Sequence, residues 1–298
     1  SQCRWHRDHE YDRMAVVTTQ GRSPRPRAGY TRTSARVIAI AIAATAGLGF
    51  SGLAAAQDGC TVPADLLKLQ APLPKLSHAV LAEQPVRIVA LGSSSTSGTG
   101  ASSRERTYPA RLERELRAAW PENDVRVINA GVGGQLARHM LARIDHDVLK
   151  HKPQLVMWQT GVNDAVRGVP LDRFKAEMRD GIAKMREAGA DVALIDQQYY
   201  PRFQRIKNGP AYLAAVREIA AETNVPVVQR YRIMQHLIDS AQFTAATLLA
   251  PDQFHLNDTS YGCLGHLLAR SLRSAAQAVA APAPKLQDAV NVKDEAQM

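Results

Sequence analysis

The sequence predicts an α/β fold, a three-layer α/β/α sandwich around a central, mainly five-stranded parallel sheet. Two observations predict it. Short apolar runs recur along the chain, and segments with the apolar spacing of amphipathic helices separate them. Strands that are joined through helices run parallel, and helices then cover both faces of the sheet. The chain has 298 residues, 45% of them hydrophobic, which is ample for one such domain.

Five short segments are predicted strands because they are largely apolar on both faces, as buried parallel strands are. They are residues 86–91, 125–129, 155–159, 192–195 and 225–228. The predicted helices are residues 108–120, 136–151, 171–188, 210–223 and 259–278. Leu112, Leu116 and Ala119 give the first helix an apolar stripe, and Gly189 is placed to end the third.

Residues 1–56 are predicted to be an N-terminal extension with a signal peptide. The apolar stretch 37–54 follows several arginines, and three alanines at 54–56 offer a cleavage site before Gln57. The alternative is an uncleaved membrane anchor, since about 18 apolar residues can just span a bilayer. We expect export, to the periplasm or outside the cell, and no stable membrane insertion after cleavage.

Three further segments follow from composition. Residues 57–85 contain four prolines and form a predicted lead-in to the α/β domain at 86–279. Residues 280–298 mix proline, alanine and charge, which is typical of a flexible tail.

The charge distribution argues against a nucleic-acid partner. The formal net charge is +9, but residues 1–56 contain eight Arg, no Lys and three acidic residues, so only +4 remains for the rest. No Lys/Arg block accompanies this mild excess. Cys60 and Cys263 could form one disulfide or remain two unpaired thiols, and neither has the spacing of a metal ligand. The sequence indicates no metal and no cofactor, and it leaves the oligomeric state open.

Polar residues cluster where the predicted strands end. Residues 92–95, 129–134 and 161–164 follow the first three strands, and residues 252–258 precede the last helix. The carboxyl ends of parallel strands share one edge of the sheet, where ligands bind. A hydrolytic serine needs a base, a carboxylate that orients the base, and donors for the oxyanion. This edge offers all of them.

In these four blocks the chain resembles the SGNH hydrolases, also called the GDSL esterase/lipase family. The blocks occur in the family's order from Gly92 to His255, so the resemblance covers most of the α/β domain. It implies a flavodoxin-like SGNH hydrolase fold and ester hydrolysis without a cofactor. Residue by residue, it implies the nucleophile Ser94, the oxyanion donors Ser94, Gly134 and Asn163, and the pair Asp252 and His255.

The first block departs from the family pattern. The family usually has Gly-Asp-Ser, whereas this chain has Gly92-Ser93-Ser94. Ser93, Ser95 and Ser97 therefore compete for the role of nucleophile, and the position two residues after the glycine favours Ser94.

Dinucleotide binding is the rival for a parallel sheet with glycine-rich turns. The stretch Gly131-Val132-Gly133-Gly134 follows a strand, but Leu136 occupies the position of the third glycine of that motif. Nucleotide cofactors are therefore not expected.

The sequence thus predicts an exported serine esterase that acts on short-chain or O-acetyl esters, with an ester-bearing small molecule or glycan as substrate. Tyr199 and Tyr200 follow the fourth strand and could form a wall of the substrate site. Open alternatives are a lysophospholipase or lipase, an acyltransferase at the same site, and a non-catalytic glycan-binding protein with a decayed site.

Overall fold

The predicted fold class is confirmed by a computed structural model, which describes residues 59–278. The sheet has five strands in the order β2-β1-β3-β4-β5, and all pairs are parallel. Strand order reverses between β1 and β3, the place where parallel sheets open a ligand crevice at their carboxyl edge. The strands are β1 Val86–Gly92, β2 Val125–Gly131, β3 Leu155–Gln159, β4 Asp191–Ile195 and β5 Val227–Val228.

Helices connect and cover these strands. Before β1 lie α1 (Ala64–Leu67) and α2 (Pro74–Leu81), and between β1 and β2 lie α3 (Ser94–Ser97) and α4 (Tyr108–Ala119). Next come α5 (Ala137–Ala142), α6 (Ile144–Asp147), α7 (Val162–Val166) and α8 (Leu171–Glu187). The rest are α9 (Gly209–Glu222), α10 (Arg230–Asp239), α11 (Ala245–Leu248) and α12 (Asp258–Ala278). In residues 59–278 no helix is both long and apolar enough to cross a membrane.

Alternating strand residues build two hydrophobic cores, one on each face of the sheet. On one face, residues such as Ile88 and Met157 pack with side chains of α2, α4, α10 and α12. On the other face, Val89 and Trp158 pack with α5, α8 and α9. The side-chain period of two in a strand supplies both faces from one apolar run. This is the three-layer arrangement.

The observed helices differ from the predicted ones by one break and by several additions. The predicted helix 136–151 is broken after Ala142, and at the break the Arg143 guanidinium donates hydrogen bonds to the carbonyls of Gly92 and Ala130. The chain turns there so that Arg143 reaches the ends of β1 and β2. Helix α10 is one of the helices that the sequence did not predict. Its buried apolar residues Ile233, Met234 and Leu237 have the spacing of one helix face.

The segment before β1 is joined firmly to the domain. Its residues Leu73 and Leu76 are buried in the first core, and the Leu76 N–H donates a hydrogen bond to the Asp191 carboxylate at 2.9 Å. Cys60 and Cys263 form a disulfide with a Cα–Cα distance of 5.6 Å, which settles the alternatives that the sequence left open. The predicted signal peptide and tail lie outside the described residues.

Candidate active site

Ser94 is the first residue of α3, directly after β1. The turn is so tight that a Cβ at Gly92 would collide with the Thr96 side chain, which explains why glycine stands there. As the first residue of a helix, Ser94 has a backbone N–H without an intrahelical acceptor. The neighbouring serines are placed differently. Ser93 and Ser95 are buried, and the Ser97 hydroxyl donates to the Ser94 carbonyl at 3.0 Å.

His255 and Asp252 complete a hydrogen-bonded relay with Ser94. His255 Nε2 lies 2.9 Å from Ser94 Oγ, and His255 Nδ1 lies 2.6 Å from Asp252 Oδ2. The other carboxylate oxygen of Asp252 accepts hydrogen bonds from the N–H groups of Phe254 and His255. One carboxylate therefore both fixes the turn and orients the imidazole.

These contacts keep Asp252 ionised. Burial acts against its charge, but the hydrogen bonds from the His255 ring and from two backbone N–H groups outweigh burial and hold the pKa below its usual value. An ionised carboxylate at Nδ1 stabilises the imidazolium that forms when Nε2 takes up a proton.

Gly134 lies in the turn after β2, and Asn163 lies in α7, the short helix after β3. The Asn163 side-chain amide donates to the Gln135 carbonyl at 2.9 Å, so one of its two N–H groups remains for another acceptor. Gly134 has a φ of 73°, a left-handed conformation that suits glycine. The backbone N–H of Gly134 donates no hydrogen bond to any of the described residues.

Asp164, also in α7, connects this helix to the segment after β2. Its buried carboxylate accepts a hydrogen bond from the N–H of Ala137, at 3.1 Å for one oxygen and 3.3 Å for the other. Burial raises the pKa of Asp164 to about 6, although backbone hydrogen bonds favour its ionised form. Asp164 falls in the polar block 161–164, but nothing in the sequence indicates its contact with Ala137.

Gln159 binds Ser93, the residue that replaces the aspartate of Gly-Asp-Ser. Its side-chain oxygen accepts hydrogen bonds at 3.2 Å from the Ser93 N–H, the Ser93 hydroxyl and the Thr96 hydroxyl. The Thr96 hydroxyl also lies 3.1 Å from the Tyr108 hydroxyl. Ser93 thus belongs to a buried, neutral network next to the turn that carries Ser94. Gln159 is the polar last residue of the otherwise apolar strand β3. A polar residue in that position is the sequence feature that could have indicated this network.

A cleft of about 710 Å³ opens beside His255. Tyr200 lines it, whereas Tyr199 packs its ring edge-on against Tyr231, with centroids 5.5 Å apart. The remaining lining residues are Ala165, Val166, Arg167, Gly168, Arg202, Ile206, Lys207, Asn208, Gln253 and Phe254. The cations of this cleft lie in no recognisable motif, so the sequence alone does not indicate them. Within residues 59–278 no group of His, Cys, Asp and Glu could hold a metal ion.

Known proteins resemble the chain in sequence. It is 29% identical over 146 residues to an acetylxylan esterase of Geobacillus stearothermophilus, covering 45% of this chain and 64% of that protein. It is 31% identical over 96 residues to esterase TesA of Pseudomonas aeruginosa, covering 32% of this chain and 45% of the relative. The chain therefore spans less than two thirds of the length of either relative.

A solved structure resembles the chain in fold. The crystal structure of a two-domain esterase active on acetylated mannans superposes with a TM-score of 0.60 at 21% identity, covering 70% of this chain and 56% of the other. At that identity the likeness concerns the fold.

The sequence model of one family matches residues 59–278, which is most of the chain and all of its described part. The match starts ahead of β1 and so includes α1 and α2. It also includes Gly92-Ser93-Ser94, where the chain lacks the Gly-Asp-Ser pattern. The chain therefore belongs to the non-GDSL lipase-like family.

Proposed function

We propose that the protein is a serine ester hydrolase that acts through an acyl-enzyme. The observation that carries this proposal is the relay in which Ser94 Oγ is 2.9 Å from His255 Nε2 while Asp252 holds the other ring nitrogen at 2.6 Å. Such contacts are what a nucleophile, a base and its orienting carboxylate require. The esterases among the similar proteins support the same reaction class.

In the first half of the reaction, Ser94 Oγ attacks the ester carbonyl and His255 Nε2 takes the hydroxyl proton. The carbonyl π electrons move to oxygen, and that oxyanion accepts hydrogen bonds from the N–H groups of Ser94 and Gly134 and from the Asn163 amide. The tetrahedral intermediate collapses, the bond to the alcohol breaks, and the imidazolium returns its proton to the departing oxygen. Asp252 stays ionised throughout.

In the second half, water replaces the alcohol. His255 Nε2 takes a proton from water as the water oxygen attacks the acyl carbonyl, and the same donors bind the oxyanion. Ser94 leaves with the proton from His255, which releases the acid and restores the enzyme. An acyltransferase would use a sugar hydroxyl in place of this water.

We further propose that the substrate is an O-acetylated glycan and that the protein is exported. The acetylxylan esterase and the acetylated-mannan esterase support the glycan. The Cys60–Cys263 disulfide supports an oxidising compartment, since disulfides are rare in the cytosol. A Bacillus subtilis protein described as an uncharacterized lipoprotein, 25% identical over 180 residues, agrees with export.

The test is hydrolysis of p-nitrophenyl acetate, butyrate and octanoate by the full chain. We expect the rate to fall with chain length, and we expect Ser94→Ala to abolish turnover while the circular dichroism spectrum stays unchanged. Ser97→Ala is the matched control and should keep most of the activity. Full activity in Ser94→Ala would overturn the proposal, and a preference for octanoate would favour a lipase. No turnover by the folded wild type, together with glycan binding, would favour the non-catalytic alternative.

A further inference from the structure

The cleft beside His255 combines apolar and positively charged side chains. Ala165, Val166, Ile206 and the Phe254 ring contribute apolar surface, and three cations surround it: Arg167, Arg202 and Lys207. None of the residues lining the cleft is acidic. The three cations come from two separate chain segments, one after α7 and one between β4 and α9.

The three cations have no partners within the described residues. The side chains of Arg167, Arg202 and Lys207 are exposed, and they make no hydrogen bond or ion pair there. Some other surface cations do form ion pairs, as Arg179 does with Glu222 and Lys184 with Asp145. Unpaired like charges around one cleft repel each other, and an anion between them would relieve that repulsion.

The cleft adjoins the site formed by Ser94, His255 and Asp252 through two of its lining residues. Its residue Phe254 packs edge-on against the His255 ring, with centroids 4.8 Å apart. Its residue Arg167 places Nη2 3.5 Å from the position that a Cβ on Gly134 would occupy. Because these two lining residues touch His255 and approach Gly134, one part of a substrate whose ester meets Ser94 can extend into the cleft.

We infer that the cleft binds the carboxylate of an acidic sugar, so that the substrate is an O-acetylated glycan containing uronosyl residues. This inference rests on the proposed esterase function and specifies its substrate. Guanidinium groups bind carboxylates through paired N–H donors, and Lys207 adds a third positive charge. The cations stand among the apolar residues of the cleft, a mixture that fits a charged sugar ring better than a long acyl chain.

The test compares two acetyl esters that differ in one carboxylate, methyl 3-O-acetyl-glucuronoside and methyl 3-O-acetyl-glucoside, with acetate release as the readout. For the full chain we expect kcat/KM to be about tenfold higher for the glucuronoside at low salt, and 0.5 M NaCl should reduce that preference because salt screens exposed charges. The double variant Arg202→Gln/Lys207→Gln should lose the preference through a raised KM. Arg205→Gln is the matched control. Arg205 lies between Arg202 and Lys207 in the sequence, at the end of the short 3-10 helix Phe203–Arg205, but it does not line the cleft.

Equal kcat/KM for the two sugars in the wild type, or an equal loss of preference in Arg205→Gln, would overturn the inference. Turnover of an anionic lysophospholipid with none of the glucuronoside would overturn it as well and assign the cleft to a lipid. Failure of the esterase itself is read separately, from p-nitrophenyl acetate. Binding of glucuronate oligosaccharides to Ser94→Ala, measured by calorimetry, tests the cleft without turnover, and absence of binding there would contradict it.

Discussion

The carboxylate of Asp164 accepts a hydrogen bond from the backbone N–H of Ala137 and so joins the loop after β2 to the helix after β3. The same two segments carry the proposed oxyanion donors Gly134 and Asn163. Because the folded state raises the pKa of Asp164 to about 6, this buried group titrates at mildly acidic pH.

The first prediction concerns this titration. The pKa of Asp164 is higher in the folded than in the unfolded chain, so its contribution to stability is greatest below about pH 4 and is lost as pH rises through 6. Asp164→Asn stays neutral and keeps an acceptor for Ala137. We expect its free energy of unfolding, relative to the wild type, to rise by up to about 3 kcal/mol between pH 4 and 7. Urea denaturation across this range measures it. Asp180→Asn on the exposed side of α8 is the control, and a difference independent of pH for Asp164→Asn would contradict the prediction.

Asp252→Ala removes the group that orients His255 and stabilises its positive charge. We predict that kcat for p-nitrophenyl acetate falls by about 10²–10⁴. KM should change little, because Asp252 is proposed to act on His255 and not on the ester. Asp239→Asn, at the exposed end of α10, should leave both constants unchanged. A loss confined to KM would assign Asp252 to substrate binding instead.

Ser93→Asp would introduce the Gly-Asp-Ser sequence that is usual in the GDSL esterase/lipase family, and we predict that it is harmful here. The Ser93 N–H can only donate, so the Gln159 atom that it meets is the carbonyl oxygen. A carboxylate at position 93 would face that oxygen without a proton to share, in a buried place. We expect a loss of about 1–3 kcal/mol in unfolding free energy and a lower kcat. Ser93→Ala, which loses only the hydroxyl, should cost about 1 kcal/mol. A stabilised Ser93→Asp would show that the neutral network does not determine this residue.

Asn163→Ala tests the oxyanion donors. Its amide already donates to the Gln135 carbonyl, which fixes its orientation, and its second N–H is the one proposed to meet the oxyanion. We predict that kcat falls by about 10²–10³. Asn163→Asp should be similarly impaired, since a carboxylate in place of the amide cannot donate. Retention of wild-type kcat in either variant would remove Asn163 from the mechanism.

Removal of the disulfide should weaken the whole domain. The Cys60–Cys263 bond spans a sequence separation of 203 residues and restricts the unfolded chain accordingly. We predict that the double variant Cys60→Ala/Cys263→Ala loses about 2–5 kcal/mol of unfolding free energy. Reduction of the wild type with dithiothreitol should lower Tm similarly, and reductant should leave the Tm of the variant unchanged. Identical melting of the oxidised and reduced wild type would contradict this.

The sheet was predictable because its strands are short apolar runs separated by helical patterns, and the local motifs indicated which strand ends carry polar residues. Other features depend on segments that meet only in the folded chain. No residue near Arg143 in the sequence indicates that the helix breaks there or that the guanidinium contacts the ends of two strands. Arg202 and Lys207 have no acidic partner among the described residues, and sequence spacing does not reveal this. Cys60 and Cys263 could likewise have been a disulfide or two free thiols, and only the fold places them close enough to form the disulfide.

The distance along the chain between Ser94 and His255, 161 positions, has a consequence for biosynthesis. At about 5–20 residues per second, a ribosome needs on the order of 10–30 s to add His255 after Ser94. Under the proposed mechanism, the nascent polypeptide carries Ser94 without its base throughout that interval, so hydrolysis would start only after His255 has been added. Under the proposed mechanism, a chain truncated before residue 255 is inert, and the cell is protected from the activity of incomplete products.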